Sequence, residues 1–368
     1  MDPVPTRTLR VLPLALAAAL VLTACLPAYR QTTPDPGATG PPSDPRPTAT
    51  ADPPGPEPTG LDALYAQQVE WRDCGGGFEC ATVAAPMNWD DPEAGNIDLA
   101  LSRWPAEGPA DERIGSLLIN PGGPGSSGIE FAEWAVTGTF SAEIRRAYDI
   151  VGFDPRGVGA STAVDCGGPE QLDPFFVEDF PMASQADVEA ARAVVAEFGE
   201  GCLERTGPAL GHVDTVSAAR DLDLMRAVLG DDELYYAGFS YGTFLGATYA
   251  GLYPERVGRL LLDGALDPSM SEDDLVRGQA EGFENALRAY VADCQAGPDC
   301  PLTGTVDDGM RQIRRVVEDA TATPLPAGGG DHLNGTMAWT GIVVTMYDEV
   351  TLCRGKVIVT VGIERLFS

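Results

Sequence analysis

Positively charged residues and histidines are scarce in this chain of 368 residues. There are 24 lysines and arginines against 55 aspartates and glutamates, which gives a formal net charge of −31. A surface this acidic repels phosphate backbones, so it argues against nucleic acid as a partner. The two histidines, His212 and His332, leave little choice for an imidazole base. No Cys-x-x-C pair indicates a zinc site, and we expect neither metal nor cofactor.

Residues 1–24 have the pattern of a bacterial export signal. Arg7 and Arg10 precede an apolar run over residues 11–22, which is too short to span a bilayer. The run closes on Leu-Thr-Ala-Cys, which resembles a lipobox and predicts lipidation of Cys25; ordinary secretory cleavage nearby is the alternative. We therefore expect an exported protein, secreted or held at the cell surface, that meets the membrane through a lipid anchor only.

Residues 25–60 predict a disordered linker. They are rich in Pro, Thr, Gly and Asp and have almost no large apolar side chains. Such a segment cannot bury enough apolar surface to fold, and its prolines keep it extended. The folded core is therefore expected to start at residue 61.

The cysteine content fits an oxidising compartment. Of eight cysteines, Cys25 is assigned to lipid and Cys353 is left over. The other six form three pairs, each of which brackets one loop of the sequence. The predicted disulfides are Cys74–Cys80, Cys166–Cys202 and Cys294–Cys300.

Short apolar segments alternate with helical ones from about residue 71 onwards. Uninterrupted apolar runs predict strands at residues 115–120, 148–153, 233–237 and 259–262. Runs of this kind suit parallel strands that are covered on both faces. Residues 215–229 have apolar side chains at helical spacing and are followed by Gly230, which favours a helix end. This alternation predicts an α/β fold built on a mostly parallel, doubly wound sheet.

Ser240 is the strongest candidate for a catalytic residue. It lies in Gly-Phe-Ser-Tyr-Gly at residues 238–242, between a predicted strand and a predicted helix over residues 243–253. A nucleophile elbow needs this strand–turn–helix context, because small glycines let the chain turn sharply and present the hydroxyl. A glycine-rich turn with a surface serine is the alternative.

The loop at residues 120–128, Asn-Pro-Gly-Gly-Pro-Gly-Ser-Ser-Gly, can turn backbone N–H groups into a cavity. A phosphate-binding loop is the alternative, but the Lys-Ser/Thr ending of a P-loop and the spacing of a dinucleotide fingerprint are missing. An oxyanion hole fits better, since it combines the N–H after the nucleophile, here Tyr241, with one from this first loop. We choose Gly123 as that second donor.

A second loop, residues 154–161, begins Asp-Pro-Arg-Gly. We expect Asp154 and Arg156 to form a structural pair that shapes the wall of the pocket. A catalytic role for either residue is the alternative.

Four motifs together resemble a known family. They are Asn-Pro-Gly-Gly-Pro-Gly from residue 120, Asp-Pro-Arg-Gly-Val-Gly-Ala-Ser from residue 154, Gly-Phe-Ser-Tyr-Gly-Thr from residue 238 and Leu-Asp-Gly from residue 262. In this order they look like the α/β-hydrolase-fold tripeptidyl aminopeptidases of actinobacteria, relatives of the prolyl aminopeptidases. The likeness extends from about residue 61 to about residue 349.

This resemblance implies an exported serine exopeptidase that removes short peptides from free N-termini. It implies a hydrolase core over residues 61–265 and an inserted helical cap over residues 266–349. In prolyl aminopeptidases carboxylates of the cap bind the free amine of the substrate, and a carboxylate opposite a buried ammonium is a reasonable selector. Glu281 and Glu284, on a predicted cap helix, are the candidates, although solvated helix charges are the alternative.

The chain departs from the family at the base and acid of the triad. The fold places them after the serine, in the order Ser, Asp or Glu, His. His212 precedes Ser240, and His332 lies in a glycine-rich loop where exposure is the simpler expectation. Asp263 stands at a strand end, where we expect it to support loop geometry.

Residues 350–368 are atypical. They contain Lys356, the single lysine of the chain, and the unpaired Cys353, and they match nothing in the family. We interpret this as a frameshift or wrong gene end near residue 350, with the last strands of the sheet missing; a naturally short variant is the alternative. We expect little or no peptidase activity from the chain as given, because a serine without a base is a poor nucleophile.

Three functions remain open. The chain is a serine exopeptidase or the front part of one, a carboxylic-ester hydrolase with the same elbow, or a catalytically inactive surface lipoprotein with a binding role. For the peptidase, the expected partners are peptide substrates. The sequence does not indicate an oligomeric state.

Overall fold

The computed structural model describes residues 60–344 and residue 346, except residues 178, 181, 299, 329 and 330. The predicted export signal, Cys25, the linker up to residue 59 and the predicted tail with Cys353 lie outside these residues. The described chain divides into two units. The first unit contains residues 60–282 and 317–338, and the second contains residues 283–316 and 339–346.

Strands and helices alternate through most of the described chain. Its strands are β1 (Arg72–Gly75), β2 (Phe78–Pro86), β3 (Asn96–Trp104), β4 (Gly115–Asn120), β5 (Tyr148–Phe153), β6 (Leu234–Phe239), β7 (Val257–Asp263), β8 (Leu325–Gly328) and β9 (Asp331–Leu333). Its helices are α1 (Leu61–Tyr65), α2 (Gly128–Gly138), α3 (Ala142–Ala147), α4 (Pro169–Val177), α5 (Gln185–Thr206), α6 (Thr215–Val228), α7 (Tyr241–Leu252), α8 (Glu272–Ala296), α9 (Val306–Ala322) and α10 (Gly335–Val344). In this part of the chain no helix is both long enough and apolar enough to cross a bilayer.

The first unit is built on a seven-stranded sheet with the order β1-β2-β3-β5-β4-β6-β7. β5, β4, β6 and β7 are parallel to one another, as the four apolar runs predicted. β6 begins at Leu234 and ends at Phe239, two residues beyond the predicted end, so the strand leads directly into Ser240. The mostly parallel α/β prediction is therefore confirmed.

The start of the sheet is antiparallel, which the sequence pattern did not indicate. β1, β2 and β3 pair in chain order, and β3 also runs antiparallel to β5. The expectation of alternating strands and helices from residue 71 is wrong here, because no α-helix separates these strands. A tight turn joins β1 to β2, and residues 87–95, which contain a short 3-10 helix, join β2 to β3. Gly75, Gly76 and Gly77 all have positive φ, so they turn the chain from β1 into β2 at no steric cost.

Two apolar layers cover the faces of the sheet. On one face, α6 and α7 contribute Leu222, Met225, Leu245 and Tyr249 to a buried cluster with side chains of β2–β6. On the other face, α2 contributes Ala132, Ala135 and Val136, which pack on Ile119, Ile150 and Ala237. Helices on both faces hold the carboxyl ends of β4, β5 and β6 in one fixed row, and the loops that follow these strands form the candidate site.

β7 is a less protected strand than its neighbours. Within the described residues it pairs with β6 on one side and has no partner on the other. Leu261 is 52% exposed, whereas Leu234 and Tyr236 on β6 are almost completely buried. The sheet therefore presents apolar surface at this edge.

The second unit has its own small apolar cluster. Leu287, Tyr290, Val291 and Cys294 of α8 pack against Leu302 and against Ile313 of α9. The region predicted as a helical cap, residues 266–349, thus contains α8, α9 and α10, together with a two-stranded hairpin of β8 and β9 in the first unit. The boundaries proposed for the cap stay a prediction.

All three predicted disulfides are present. Cys74–Cys80 and Cys294–Cys300 each have a sequence separation of 6, and Cys166–Cys202 has a separation of 36. The longer bridge lies at the base of an excursion formed by α4 and α5. The Thr206 hydroxyl closes the same base, since it accepts the Asp165 N–H at 2.9 Å.

Candidate active site

Ser240 occupies a sharp turn between β6 and α7. Its φ is 53° and its ψ is −125°, and it is the one residue other than glycine with positive φ in the described chain. Such a conformation costs a residue with a side chain on the order of 1–3 kcal/mol, so it persists only where the surroundings enforce it. The strand–turn–helix backbone predicted around Ser240 is present.

The flanking glycines are required by close backbone approaches. A Cβ on Gly238 would lie 2.3 Å from the Gly242 carbonyl oxygen, and a Cβ on Gly242 would lie 2.6 Å from the Asn120 carbonyl oxygen. Because both neighbours are main-chain atoms, neither can move without displacing the turn. The Tyr236 hydroxyl donates to the Gly242 carbonyl at 2.8 Å and fixes the first turn of α7 further.

The loop after β4 lies directly against the elbow. A Cβ on Gly122 would lie 2.4 Å from the Phe239 carbonyl oxygen, 2.9 Å from the Tyr241 nitrogen and 3.1 Å from the Ser240 Cβ. The buried Asn120 side chain accepts the Gly122 N–H at 2.9 Å and so holds this approach. Gly123, the predicted oxyanion donor, is the next residue and also has positive φ, at 108°.

Tyr241 is the first residue of α7. Backbone N–H groups in the first turn of a helix have no acceptor within the helix, so the Tyr241 N–H is available to a ligand. Its side chain is anchored away from this N–H, because the hydroxyl shares a hydrogen bond of 2.7 Å with the Thr215 hydroxyl. Burial raises the pKa of the Tyr241 phenol, which therefore stays neutral at physiological pH.

Ser240 is bonded through both of its backbone polar groups. Its N–H donates to the Asp263 carbonyl oxygen at 2.9 Å. Its carbonyl oxygen accepts the Thr243 N–H at 2.9 Å and the Thr243 hydroxyl at 2.6 Å. The sequence indicated no separate role for Thr243 or Asn120, although each lies in one of the motifs that resemble the family.

The expected pairing of Asp154 with Arg156 is wrong. Arg156 forms a two-pronged ion pair with Asp221 of α6, with N···O distances of 2.7 and 2.6 Å, and donates to backbone carbonyls including that of His212. Asp154 instead accepts the Ser127 hydroxyl at 2.5 Å and the Ala160 N–H at 2.8 Å. Asp221 lies on α6, 65 positions from Arg156 in the chain, so a rule that pairs neighbouring residues could not find it.

The two histidines lie in separate surroundings. His212 is half-buried in a 3-10 turn, Gly207–His212, and His332 is exposed on β9. Within the described residues, no hydrogen bond links either imidazole to the Ser240 hydroxyl. Asp263 is the last residue of β7, and its side chain is exposed. Its backbone carbonyl accepts the Ser240 N–H, which agrees with the expectation that Asp263 supports loop geometry.

The two proposed amine-binding carboxylates are both exposed on α8. Glu284 accepts the Arg288 guanidinium at 2.9 Å, and Arg288 also pairs with Asp307 at 2.6 Å. A role for Glu284 would have to compete with this ion pair. Among the described residues, no arginine forms an ion pair with Glu281.

Comparison with known proteins agrees with this geometry. Residues 115–306, over half of the chain, match the family described as the alpha/beta hydrolase fold. The chain is 41% identical over 247 residues to the serine protease Hip1 of Mycobacterium tuberculosis, an alignment that covers 64% of this chain and 47% of the relative. It is 41% identical over 277 residues to the tripeptidyl aminopeptidase of Streptomyces coelicolor, covering 71% and 50%, respectively.

A third relative has a different name. A carboxylesterase B of Mycobacterium tuberculosis is 33% identical over 270 residues, with 73% of this chain and 51% of the relative covered. The chain therefore spans about half the length of the curated relatives that it matches.

Proposed function

This chain belongs to the α/β-hydrolase-fold family, and from that membership we propose that it carries the nucleophile and oxyanion hole of a serine peptidase. The observation that supports this most is the backbone of Ser240, held at positive φ by bonds to both its N–H and its carbonyl. A surface serine in an ordinary turn has no reason to keep such a conformation.

In the proposed reaction the Ser240 Oγ attacks the carbonyl carbon of a peptide bond. The C–O bond forms as the carbonyl π electrons move to oxygen, and the amine leaves when the tetrahedral intermediate collapses. The Tyr241 and Gly123 N–H groups are proposed to bind the oxyanion, and one such donor is typically worth about 3 kcal/mol. A general base takes the hydroxyl proton and returns it to the nitrogen of the leaving amine, and water then hydrolyses the acyl-enzyme ester and frees Ser240. We assign the role of base to neither His212 nor His332.

The proposed substrates are peptides with a free N-terminus. Two relatives are named serine protease and tripeptidyl aminopeptidase, which favours a peptide over a simple ester as the substrate. Glu281 and Glu284 are the proposed contacts of the substrate ammonium, with Glu281 the freer of the two. The relative named carboxylesterase B keeps an ester hydrolase as the second candidate.

We further propose that the protein is exported and lipidated at Cys25. A bacterial host that expresses the chain should incorporate labelled palmitate into it, and Cys25→Ala should abolish the label. Absence of the label from the wild-type chain would refute the anchor and leave ordinary secretion, and label that persists in Cys25→Ala would refute Cys25 as its site.

A fluorophosphonate probe tests the nucleophile. Ser240 should be labelled slowly in the chain as given, because a serine without a base is a poor nucleophile, and Ser240→Ala should remove that label. Ser184→Ala is the matched control, because Ser184 is an exposed serine that caps α5. Labelling of Ser240→Ala at the wild-type rate would refute the assignment.

A substrate panel separates the candidate functions. Because the chain as given is expected to have little activity, the residual rates of hydrolysis are compared on the same preparation. The substrates are a tripeptide aminocoumarin with a free N-terminus, its N-acetylated form and a short acyl ester. The exopeptidase proposal requires preference for the free amine, and Glu281→Gln should weaken that preference more than it affects the ester. Equal hydrolysis of the blocked and free peptides would contradict it.

A further inference from the structure

The Thr243 hydroxyl joins the proposed nucleophile to the chain that leaves β7. Its Oγ1 donates to the Ser240 carbonyl at 2.6 Å and accepts the Leu266 N–H at 2.9 Å. Thr243 has no exposed surface, so water does not compete for these bonds. The Ser240 N–H donates to the Asp263 carbonyl nearby, which makes a second link to the same segment.

We propose that Thr243 is a positioning residue that clamps the Ser240 backbone to residues 263–266. Through this clamp the segment that leads from β7 towards α8 determines where the serine hydroxyl stands. The inference rests on the proposed function only in naming Ser240 as the nucleophile, since the clamp itself is a matter of hydrogen bonds.

The clamp has a physical reason in the backbone of Ser240. A residue held at positive φ relaxes to an ordinary conformation unless its polar groups are fixed on both sides. The Asp263 carbonyl fixes the N–H, and Thr243 fixes the carbonyl with two donors. Removal of the hydroxyl deletes one of these donors and also leaves the Leu266 N–H without its acceptor. Because an unpaired buried donor adds its own cost, the loss of stability should exceed that of one average hydrogen bond.

Thr248 shows what an ordinary threonine does in the same helix. Its hydroxyl donates to the Phe244 carbonyl at 2.8 Å, the usual bond of a helical threonine to the preceding turn. The Thr243 hydroxyl differs in two respects, because its acceptor is the residue that begins the helix and because it also accepts a donor from outside the helix. Thr248 is therefore a matched control.

The test compares Thr243→Val, Thr243→Ser and Thr248→Val with the wild-type chain. Hydrogen exchange is measured for the Leu266 amide, and the rate of fluorophosphonate labelling is measured at Ser240. Thr243→Val, nearly isosteric, should speed exchange at Leu266 and slow labelling, each by about tenfold. Thr243→Ser should restore both, and Thr248→Val should leave both unchanged.

Several outcomes would overturn the inference. Wild-type exchange at Leu266 in Thr243→Val would show that the clamp does not exist, and equal damage from Thr248→Val would show a general effect of lost helix hydroxyls. Should Thr243→Val unfold, the failure of Thr243→Ser to restore wild-type behaviour would decide against the clamp. If the wild-type chain shows no labelling, the proposed function fails while exchange at Leu266 still decides the clamp.

Discussion

At the scale of single residues, Gly122 is a position of the candidate site where a side chain does not fit. Any side chain there would collide with main-chain atoms of Phe239 and Tyr241. Gly122→Ala is therefore expected to displace the elbow and to lower the rate of phosphonate labelling at Ser240 by about a hundredfold, comparable to the loss of an oxyanion donor.

Gly125→Ala is the control for Gly122→Ala. Gly125 has φ +101° in the same loop, but a Cβ there would meet nothing within 4 Å. Both variants carry the cost of an alanine at positive φ, which is about 1–2 kcal/mol. Only the collision differs, so equal labelling of the two variants would refute the role given to Gly122.

The buried ion pair of Arg156 gives a prediction about stability. The Arg156 and Asp221 side chains are 2% and 3% exposed, whereas those of the pair Arg220 and Asp90 are 31% and 84% exposed. Arg156→Met should lower the free energy of unfolding by about 3–5 kcal/mol, since it strands a buried carboxylate. Arg220→Met should change it by at most about 1 kcal/mol. Urea unfolding of both variants measures the difference, and similar losses would contradict the argument.

The sequence was informative where the interacting residues are close together in the chain, and it was not where they are far apart. The sharp turn at Ser240 could be predicted because its motif and its flanking strand and helix are contiguous. Thr243 could not, since its partner Leu266 is 23 positions away in the chain. Arg156 was paired with its neighbour Asp154 because the sequence gives no distance to Asp221.

At the scale of elements, the N-terminus of α9 is held by a reciprocal cap. Thr305 accepts the Asp308 N–H through its hydroxyl at 3.2 Å, and Asp308 accepts the Thr305 N–H at 2.8 Å. The bonds from the Thr305 N–H and hydroxyl, with Arg311, lower the pKa of Asp308 to about 2. A carboxylate with a depressed pKa stabilises the folded state above its unfolded pKa, so this contribution is lost as pH falls from about 4 towards 2.

Asp308→Ala should therefore melt at a lower temperature than the wild-type chain at pH 6. The difference between the two melting temperatures should shrink as pH falls towards 2, where the wild-type carboxyl is protonated too. Glu318→Ala is the control, as it removes one exposed carboxylate from α9 outside the capping turn. A difference that is constant with pH would show that the cap does not act through its charge.

The parallel strands were predictable because each is an unbroken apolar run between helical segments. The antiparallel β1–β3 were not, because β1 is exposed throughout, β2 and β3 contain exposed positions, and no α-helix separates the three strands. Pairing direction depends on connection length, which a search for apolar runs does not measure.

At the scale of the whole molecule, we expect the side of β7 that has no partner among the described residues to promote association. An open strand edge with apolar side chains is a template for pairing with other chains. Leu261→Lys should reduce aggregation of the chain with little change in melting temperature, because Leu261 already faces solvent. Light scattering at fixed concentration measures this effect.

Leu260→Lys, at the neighbouring position, should have the opposite effect on aggregation. Leu260 packs against the buried cluster beneath α6 and α7, so a lysine there should destabilise the fold and increase aggregation. Equal behaviour of the two lysine variants would mean that the edge is not what limits solubility.

The bridge between Cys166 and Cys202 turns α4 and most of α5 into a closed covalent ring. Apart from Ala191 and Cys202, α5 has no buried side chains, so its surface is open to proteases. A single cut inside the ring releases nothing, because the Cys166–Cys202 disulfide still joins the two pieces. On a denaturing gel, such a nicked molecule would migrate as an intact chain without reductant and as two pieces with it. Proteolytic cuts in this segment can therefore accumulate while all parts of the chain stay covalently joined.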